Sequence, residues 1–264
     1  MTSLVPIFLL LASVFFLHGC AKTPVPEKSL PPPFNPQEID VILEGFETQH
    51  RNVRSCFGSG RLSIQTREGE DDVNILVAGQ KDPFRVKLEI THPWGRPLLY
   101  LVMNESILQA VVFHHKRVYR GKPTDALPGG ALPVPLAPDI VWTLIRGFPI
   151  VAGHTRTASA KGGEIVLLDE KDAILEVITF GSDDGFPVTV SFFEHAVDIH
   201  YSPFDENDGI QSARLVKLVH SDSGTSLELE LNERVFNRAI PPELFELDVP
   251  RGFEVRELST LRTE

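Results

Sequence analysis

The sequence predicts a mainly β fold, built as one curved antiparallel sheet or barrel with two helices. About a dozen segments rich in β-branched and aromatic residues recur at spacings of roughly 8–12 residues. Two segments only carry a helical pattern of apolar residues. With 42% hydrophobic residues and 17 Phe, the chain has ample material for an apolar interior. The sequence leaves open whether that interior is filled or encloses a cavity.

Residues 1–19 have the composition of a secretion signal. They contain no Asp, Glu, Lys or Arg, and their apolar run from Leu4 to Leu17 is too short for a comfortable transmembrane helix. Gly19-Cys20 then resembles the lipobox of bacterial lipoproteins, in which the Cys is diacylated and becomes the mature N-terminus. We therefore expect cleavage before Cys20 and lipidation of Cys20. An ordinary signal peptide or a short N-terminal anchor is the alternative.

Residues 20–35 are expected to form a tether between the lipidated Cys and a folded domain. The stretch from Ala21 to Pro36 holds six prolines in sixteen residues, which favours an extended polyproline II chain. Such a tether reaches roughly 50 Å at about 3.1 Å per residue. We assign residues 36–258 to the folded domain and residues 259–264 to a tail.

The first helix is marked at its start and along one face. Asn35 is placed to cap it, Pro36 suits the first helical position, and Glu38 completes a capping box. An apolar face follows at helical spacing, which predicts an amphipathic helix that lies on another part of the protein. The residues of this face are Ile39, Ile42, Leu43 and Phe46.

The predicted strands fall into two series on either side of a second helix. That helix is expected after Asp139 as its cap and ends before Gly147. Asp208-Gly209 and Ser223-Gly224 are predicted hairpin turns. The predicted strands are 60–66, 73–78, 84–90, 98–103, 107–113, 164–168, 174–180, 188–193, 197–201, 213–220, 226–231 and 245–249.

The composition and the motifs argue against several classes of function. A net charge of −11 disfavours nucleic acid as a partner. We find no G-x-S-x-G elbow, phosphate loop or H-E-x-x-H motif, so we expect neither an enzyme nor a cofactor. His114 and His115 stand at a strand end, where adjacent side chains point to opposite faces, so we expect no metal site there. Cys56, in an apolar context, is predicted to be a buried structural thiol.

The segment between the third and fourth predicted strands holds the most distinctive side chain. Trp94 lies between Pro93 and Gly95 in a short loop. The residues alone leave open whether Trp94 is tucked against the core or exposed for binding. Trp favours the membrane–water interface, so an exposed Trp94 would suit a protein tethered to a bilayer.

These segments resemble the LolB family of outer-membrane lipoproteins, which accept other lipoproteins and insert them into that membrane. The resemblance covers roughly residues 34–149, and the ending Ile240–Leu247 is similar to that of the related LolA-type carriers. The matching segments, in the family's order, are Gly60-Arg61-Leu62, Phe84 to Gly95, Pro133-Val134-Pro135-Leu136, Trp142 and Arg146-Gly147-Phe148-Pro149.

The resemblance implies an unclosed antiparallel β-barrel of about 11 strands whose apolar cavity lies under a helical lid. The Ile39–Phe46 face would belong to that lid. Pro93, Trp94 and Gly95 would form a membrane-inserting loop, with Trp94 where family members usually carry Leu. The implied protein is a monomer anchored on the periplasmic face of the outer membrane. Its partners would be lipoprotein acyl chains, a periplasmic lipoprotein carrier and outer-membrane lipid.

Two other functions remain open at this stage. A lipid-tethered module of the same fold would bind or sense lipoprotein, or another amphiphile, without inserting it. A structural envelope protein would have an interior that is simply filled. An apolar groove beneath the Ile39–Phe46 helix is the feature that would favour lipid handling.

Overall fold

The computed structural model describes residues 32–258, except 124, 126, 128–133, 135–136, 160 and 182–184. Cys20 and the predicted signal, most of the tether, and the tail lie outside the described residues. In the described part, the helices are α1 (Pro36–Arg51) and α2 (Pro138–Arg146), and none is long and apolar enough to cross a membrane. Short 3₁₀ turns lie at Phe193–His195 and Pro242–Phe245.

The described residues form 14 strands, against about 11 expected. The strands are β1 (Ser55–Gln65), β2 (Glu70–Gln80), β3 (Arg85–Thr91), β4 (Pro97–Asn104), β5 (Leu108–Val112), β6 (Arg117–Gly121), β7 (Arg156–Ala158), β8 (Glu164–Leu168), β9 (Ile174–Phe180), β10 (Pro187–Phe192), β11 (Val197–Asn207), β12 (Ile210–His220), β13 (Thr225–Phe236) and β14 (Glu254–Glu257).

All 14 strands belong to one unclosed sheet, as far as the structure describes the chain. Their order is β14-β6-β5-β4-β3-β2-β1-β13-β12-β11-β10-β9-β8-β7, so β14 and β7 are the two edges. The pairs are antiparallel, except that β14 joins β6 in parallel. The mainly β, unclosed antiparallel architecture is therefore confirmed.

The strand predictions failed at the edges and in the C-terminal segment. Strands β6, β7 and β14 were not predicted, because each has only three to five residues and little alternation. The predicted strand 245–249 is wrong. Pro242 begins a 3₁₀ turn that ends at Phe245, and the chain forms its last strand only at Glu254–Glu257.

The start of α1 is as the sequence predicts. The Glu38 backbone N–H donates to Asn35 Oδ1 at 3.0 Å, and the Asn35 N–H donates to Glu38 Oε2 at 2.8 Å. These bonds satisfy two donors that a helix N-terminus otherwise leaves unpaired. For α2 the predicted cap is wrong: Ala137 is the N-cap, Pro138 takes the first turn, and no side chain caps the helix.

A single apolar core fills the space between the sheet and both helices. Along each strand alternate residues face it, and residues from β1 to β6 and from β8 to β13 join one cluster with α1 and α2. The sheet must therefore curve around α2. Gly79 on β2 permits this close packing, since a Cβ there would lie 2.5 Å from Ile145 Cδ1 and 3.0 Å from Trp142. Gly147 ends α2 with φ +70°, as expected for a glycine cap.

Helix α1 crosses one end of the sheet, which we call the helix end. Its last turns touch two turns of that end, because Gln49 Nε2 donates to Gly209 O at 3.0 Å and Lys81 Nζ to His50 O at 3.4 Å. Just before α1, the Phe34 N–H donates to Ser159 Oγ at 3.0 Å, between β7 and β8. The helix thus spans from the β7 edge to the β2–β3 turn.

The opposite end carries the turns that join β1–β2, β3–β4, β5–β6, β8–β9, β10–β11 and β12–β13. Strand directions place them together, because every neighbouring pair among these strands is antiparallel. We call it the tryptophan end, since the β3–β4 turn contains Trp94. α2 begins near this end, where Asp139 Oδ2 lies 3.9 Å from His195 Nε2. It ends near the helix end, where Arg146 bonds to Gln211 O.

Candidate functional site

The β3–β4 turn holds Trp94 away from the core. The Gly95 N–H donates to His92 O at 2.7 Å, and the His92 N–H donates to Arg96 O at 2.8 Å. Gly95 has φ +84°, so the loop is a three-residue hairpin connection whose left-handed position is filled by glycine. Pro93 suits the second position of the turn, where φ is already near −65°. The sequence of the loop therefore determines its local shape.

Trp94 itself is 83% exposed. Its ring contacts the ring of His92, with centroids 4.2 Å apart. The sequence left open whether the Trp94 side chain packs against the core or is exposed, and in the structure it is exposed. A large aromatic ring on a hairpin tip leaves apolar surface in water, and such exposed apolar surface marks contact sites for proteins or membranes.

A cleft of about 930 Å³ opens on the core face of the sheet at the same end. Its floor is apolar, because the core-facing positions of β1 to β5 continue into it beyond the end of α2. The floor residues are Ile64, Val73, Ile90, Leu98, Leu99 and Val112. Four of them are almost fully buried and two, Ile64 and Leu98, are half-buried, so the floor is narrow.

The rim of the cleft is polar, and four of its eleven residues are acidic. It is built by turns of the tryptophan end, so His92 of the rim is also the residue that contacts Trp94. An apolar floor below a polar rim suits a ligand with a hydrocarbon part and a polar head. The rim residues are Thr66, Arg67, Glu68, Gly69, Glu70, Asp71, Asp72, His92, His114, Ser223 and Thr225.

The predicted lid residues lie at the other end of the molecule. Ile39, Leu43 and Phe46 are buried and Ile42 is half-buried. Phe46 packs against Phe148 with ring centroids 5.1 Å apart. Apolar side chains thus fill the space beneath α1, and the apolar floor of the cleft is not lined by this face. The structure therefore does not bring the lid face and the Trp94 loop together around one cavity.

Two charged residues inside the core were not predicted from the sequence. Arg146 on α2 is fully buried, and its Nη1 donates to Gln211 O at 2.5 Å while the guanidinium lies 4.6 Å from the Phe148 ring centre. Burial lowers the pKa of Arg146 to about 9. Arg146 belongs to the family-like stretch Arg146–Pro149, but charge alone predicts a surface side chain.

Glu176 on β9, nearer the tryptophan end, is a second charged residue that is fully buried. Its Oε2 accepts a hydrogen bond from the Ala152 N–H at 2.8 Å. Burial raises the pKa of Glu176 to about 8, and the nearby charge of Asp139 adds to the rise. At neutral pH this carboxyl is therefore protonated in the folded protein. The alternation of β9 places Glu176 on the same face as the buried Ile178 and Phe180, but a charged side chain alone predicts a surface position.

Cys56 is buried, as predicted, and its Sγ donates to Ile145 O at 3.4 Å. Burial raises its pKa to about 11, so the thiol is not a reactive thiolate. His114 and His115 do not point to opposite faces of a strand as expected, since both lie in the β5–β6 turn with ring centroids 3.6 Å apart. In the described part of the chain, no group of three His, Cys, Asp or Glu could hold a metal ion.

No protein-family model and no curated protein matches the sequence. Among solved structures, a LolA superfamily protein from Nitrosomonas europaea is similar, with a TM-score of 0.52 and 14% identity over 79% of this chain and 97% of that protein. A DUF1329 family protein from Desulfovibrio piger has a TM-score of 0.48 and 11% identity, over 77% of this chain and 96% of that one. The first similarity shows a LolA-type fold.

Proposed function

We propose that this chain is a LolB-like lipoprotein of the outer membrane, which binds the acyl chains of other lipoproteins and helps insert them into that membrane. It is anchored through Cys20 and faces the periplasm, where a soluble lipoprotein carrier delivers the cargo. It works as a monomer, without a cofactor, and carries out no chemical reaction. The LolA-type fold supports a lipid-binding role of this kind.

The observation that carries the proposal is the position of the cleft beside Trp94. A volume of about 930 Å³ lies within the roughly 300–1,000 Å³ of small-molecule sites. Each methylene group that enters the cleft from water contributes about 0.8 kcal/mol. A few carbons of an acyl chain that contact the apolar floor of the cleft therefore give a useful but reversible affinity for the acylated ligand.

Release into the membrane follows from the same arrangement. The Trp94 ring enters the interfacial layer of the bilayer, where an amphipathic aromatic ring is most stable. Because His92 belongs to both the rim and the Trp94 contact, the mouth of the cleft then faces the lipid. An acyl chain passes from the floor to the bilayer without crossing much water. The tether of residues 20–35 gives the domain the reach to meet a carrier first.

A second candidate is a lipid-tethered module that binds or senses lipoprotein without inserting it. The filled interior beneath α1 favours this alternative, because it confines the ligand to a short cleft at one end. A transfer assay separates the two candidates. A module that only binds would take up acylated ligand and not release it to membranes.

The cleft is tested by placing a charge on its floor. Ile64→Glu puts a carboxylate among apolar residues, and we expect it to weaken binding of a fluorescent diacylated peptide at least about tenfold. Gln65→Glu is the matched control, since it adds the same charge to the exposed face of the same strand. Equal binding by both variants would remove the cleft from the mechanism.

The insertion step is tested by transfer of a lipoprotein from a carrier complex to liposomes. Trp94→Glu should abolish most transfer while leaving the binding of diacylated peptide intact. Ile107→Glu is the control, because Ile107 is 56% exposed on the β4–β5 turn at the helix end. If Trp94→Glu transfers as well as the wild type, the insertion role is lost and the binding module becomes the better candidate.

A further inference from the structure

A second exposed aromatic ring stands at the tryptophan end. Among the described residues, the large apolar side chains with high exposure include two aromatic ones, Trp94 at 83% and Phe193 at 54%. Phe193 opens the β10–β11 turn, where the Ala196 N–H donates to Phe193 O at 3.4 Å. Ala196 takes the left-handed position with φ +51°, so this turn resembles the Trp94 turn in shape. Trp94 is the third residue of its turn and Phe193 is the first residue of its own, so both rings stand at hairpin ends, which we call tips.

The two rings flank the cleft from opposite sides. Trp94 contacts His92, which belongs to one side of the rim. On the other side, the Ser221 N–H donates to Ala196 O at 2.9 Å, which joins the Phe193 turn to the β12–β13 turn. Ser223 of that turn and Thr225 at the start of β13 belong to the rim. Six strand spacings separate the two tips, or roughly 29 Å measured along the curved sheet.

This separation decides which kind of partner fits. A protein partner binds through a contiguous cluster of buried anchors, and two rings on distant tips do not form one. A bilayer is a broad surface that meets separated points at once, and aromatic rings are favoured at its interface. The rim between the tips carries four acidic residues, Glu68, Glu70, Asp71 and Asp72. Attraction to anionic lipid therefore does not hold the tryptophan end at a bilayer.

We propose that Phe193 is a second membrane-contact residue, which together with Trp94 seats both sides of the cleft on the lipid surface. This inference rests on the proposed function for the membrane itself and adds an orientation to it. One contact point leaves the domain free to tilt around Trp94. Two points on opposite sides of the cleft fix its mouth against the bilayer.

The test measures which tips enter lipid. The full-length protein is reconstituted in phosphatidylcholine vesicles whose acyl chains carry bromine, which quenches tryptophan in the apolar layer. In a Trp94→Phe background, Phe193→Trp reports the second tip and Ile107→Trp reports the helix end as control. Trp142 is 2% exposed and gives the same background in every protein. Aqueous iodide, added without lipid, verifies that each introduced ring is exposed.

We expect bromolipid quenching of Phe193→Trp to exceed that of Ile107→Trp roughly twofold or more, and to approach that of the wild-type protein. Quenching of Phe193→Trp no greater than that of Ile107→Trp overturns the inference. Protection of Phe193→Trp from iodide without lipid also overturns it. Diacylated-peptide binding by Ile64→Glu and Gln65→Glu is measured separately, and equal binding by both variants would sink the proposed function while the two membrane contacts stand.

Discussion

Aromatic side chains are buried at the helix end and exposed at the tryptophan end. At the helix end, Phe46 is buried against Phe148 and Phe180, and α1 covers the core. At the tryptophan end, Trp94 stands in water and the core face continues into a cleft. Aromatic residues that are buried stabilise the fold, whereas those left exposed contribute little to it. The difference teaches that the packing that stabilises the fold and the proposed lipid-binding site lie at opposite ends of the sheet.

The largest effect should come from emptying the helix end. Phe46→Ala removes a buried ring that packs on two others, so we expect the free energy of unfolding to fall by about 3–5 kcal/mol. Val41→Ala, on the exposed side of the same helix, should change it by less than about 0.5 kcal/mol. Urea denaturation measures both. Similar midpoints for the two variants would show that α1 does not hold this end together.

Glu176 gives a pH dependence to the core near the tryptophan end. Its folded pKa of about 8 lies above the unfolded value of 4.5, so the folded state binds the extra proton between them. Stability from this group is fully present below pH 4.5 and is lost as the pH rises through 8. In the wild type, this group lowers the free energy of unfolding by at most about 1.4 kcal/mol per pH unit as the pH rises, and Glu176→Gln should remove that fall.

The measurement is urea denaturation of wild type and Glu176→Gln at pH 6.5 and 7.5. This pH window avoids most of the contribution of His50 at the helix end. Burial and the charge of Lys81 lower the pKa of His50 to about 4. His50 has the opposite sign, because its stability is present above pH 6.5 and lost as the pH falls through 4. The same slope in both proteins would contradict the protonated state of Glu176.

The cap of α1 should have a smaller effect at the helix end. Asn35→Ala removes the side-chain acceptor for the Glu38 N–H, and we expect a loss of about 1 kcal/mol. Asn35→Asp keeps an acceptor and should retain most of the stability. Hydrogen exchange in the first turn of α1 is the sharpest readout. Unchanged protection in Asn35→Ala would mean that packing alone fixes the start of the helix.

The smallest effect on stability should come from the tryptophan end. Trp94→Ala removes a ring that is 83% exposed, so the free energy of unfolding measured by urea denaturation should change by less than about 0.5 kcal/mol. The remaining tryptophan fluorescence of Trp94→Ala then comes from buried Trp142, and its maximum should lie at a shorter wavelength than that of the wild type. A loss as large as that of Phe46→Ala would show that Trp94 packs on the core in solution, and the contrast between the ends would fail.

Local features were predictable where a short segment carries its own physical reason. The capping box of Asn35 and Glu38, the Gly147 cap and the Asp208-Gly209 turn depend on neighbours in sequence, and all three are present. Asp208 and Gly209 both have positive φ, as a two-residue hairpin turn requires. The short edge strands were missed because their pairing depends on a distant partner, such as β14 on β6.

The candidate site was predictable only in part. The sequence identified the Pro93-Trp94-Gly95 turn and the amphipathic face of α1, but not that they lie at opposite ends. The cleft is lined by residues of six strands, and none of them is distinctive alone. Phe193 carried no signal either, because an aromatic residue at the end of a strand is ordinary. Its exposure follows from where the β10–β11 turn stands.

The sequence by itself determined the class of the fold, the helix boundaries that carry caps, and the shape of the Trp94 turn. These depend on backbone preferences and on the alternation of apolar residues, which act over a few positions. Only the tertiary structure decided that Trp94 is exposed, that Arg146 and Glu176 are buried, and that the space beneath α1 is filled. Burial depends on which distant segments pack together, and curvature of a 14-stranded sheet around α2 sets that packing.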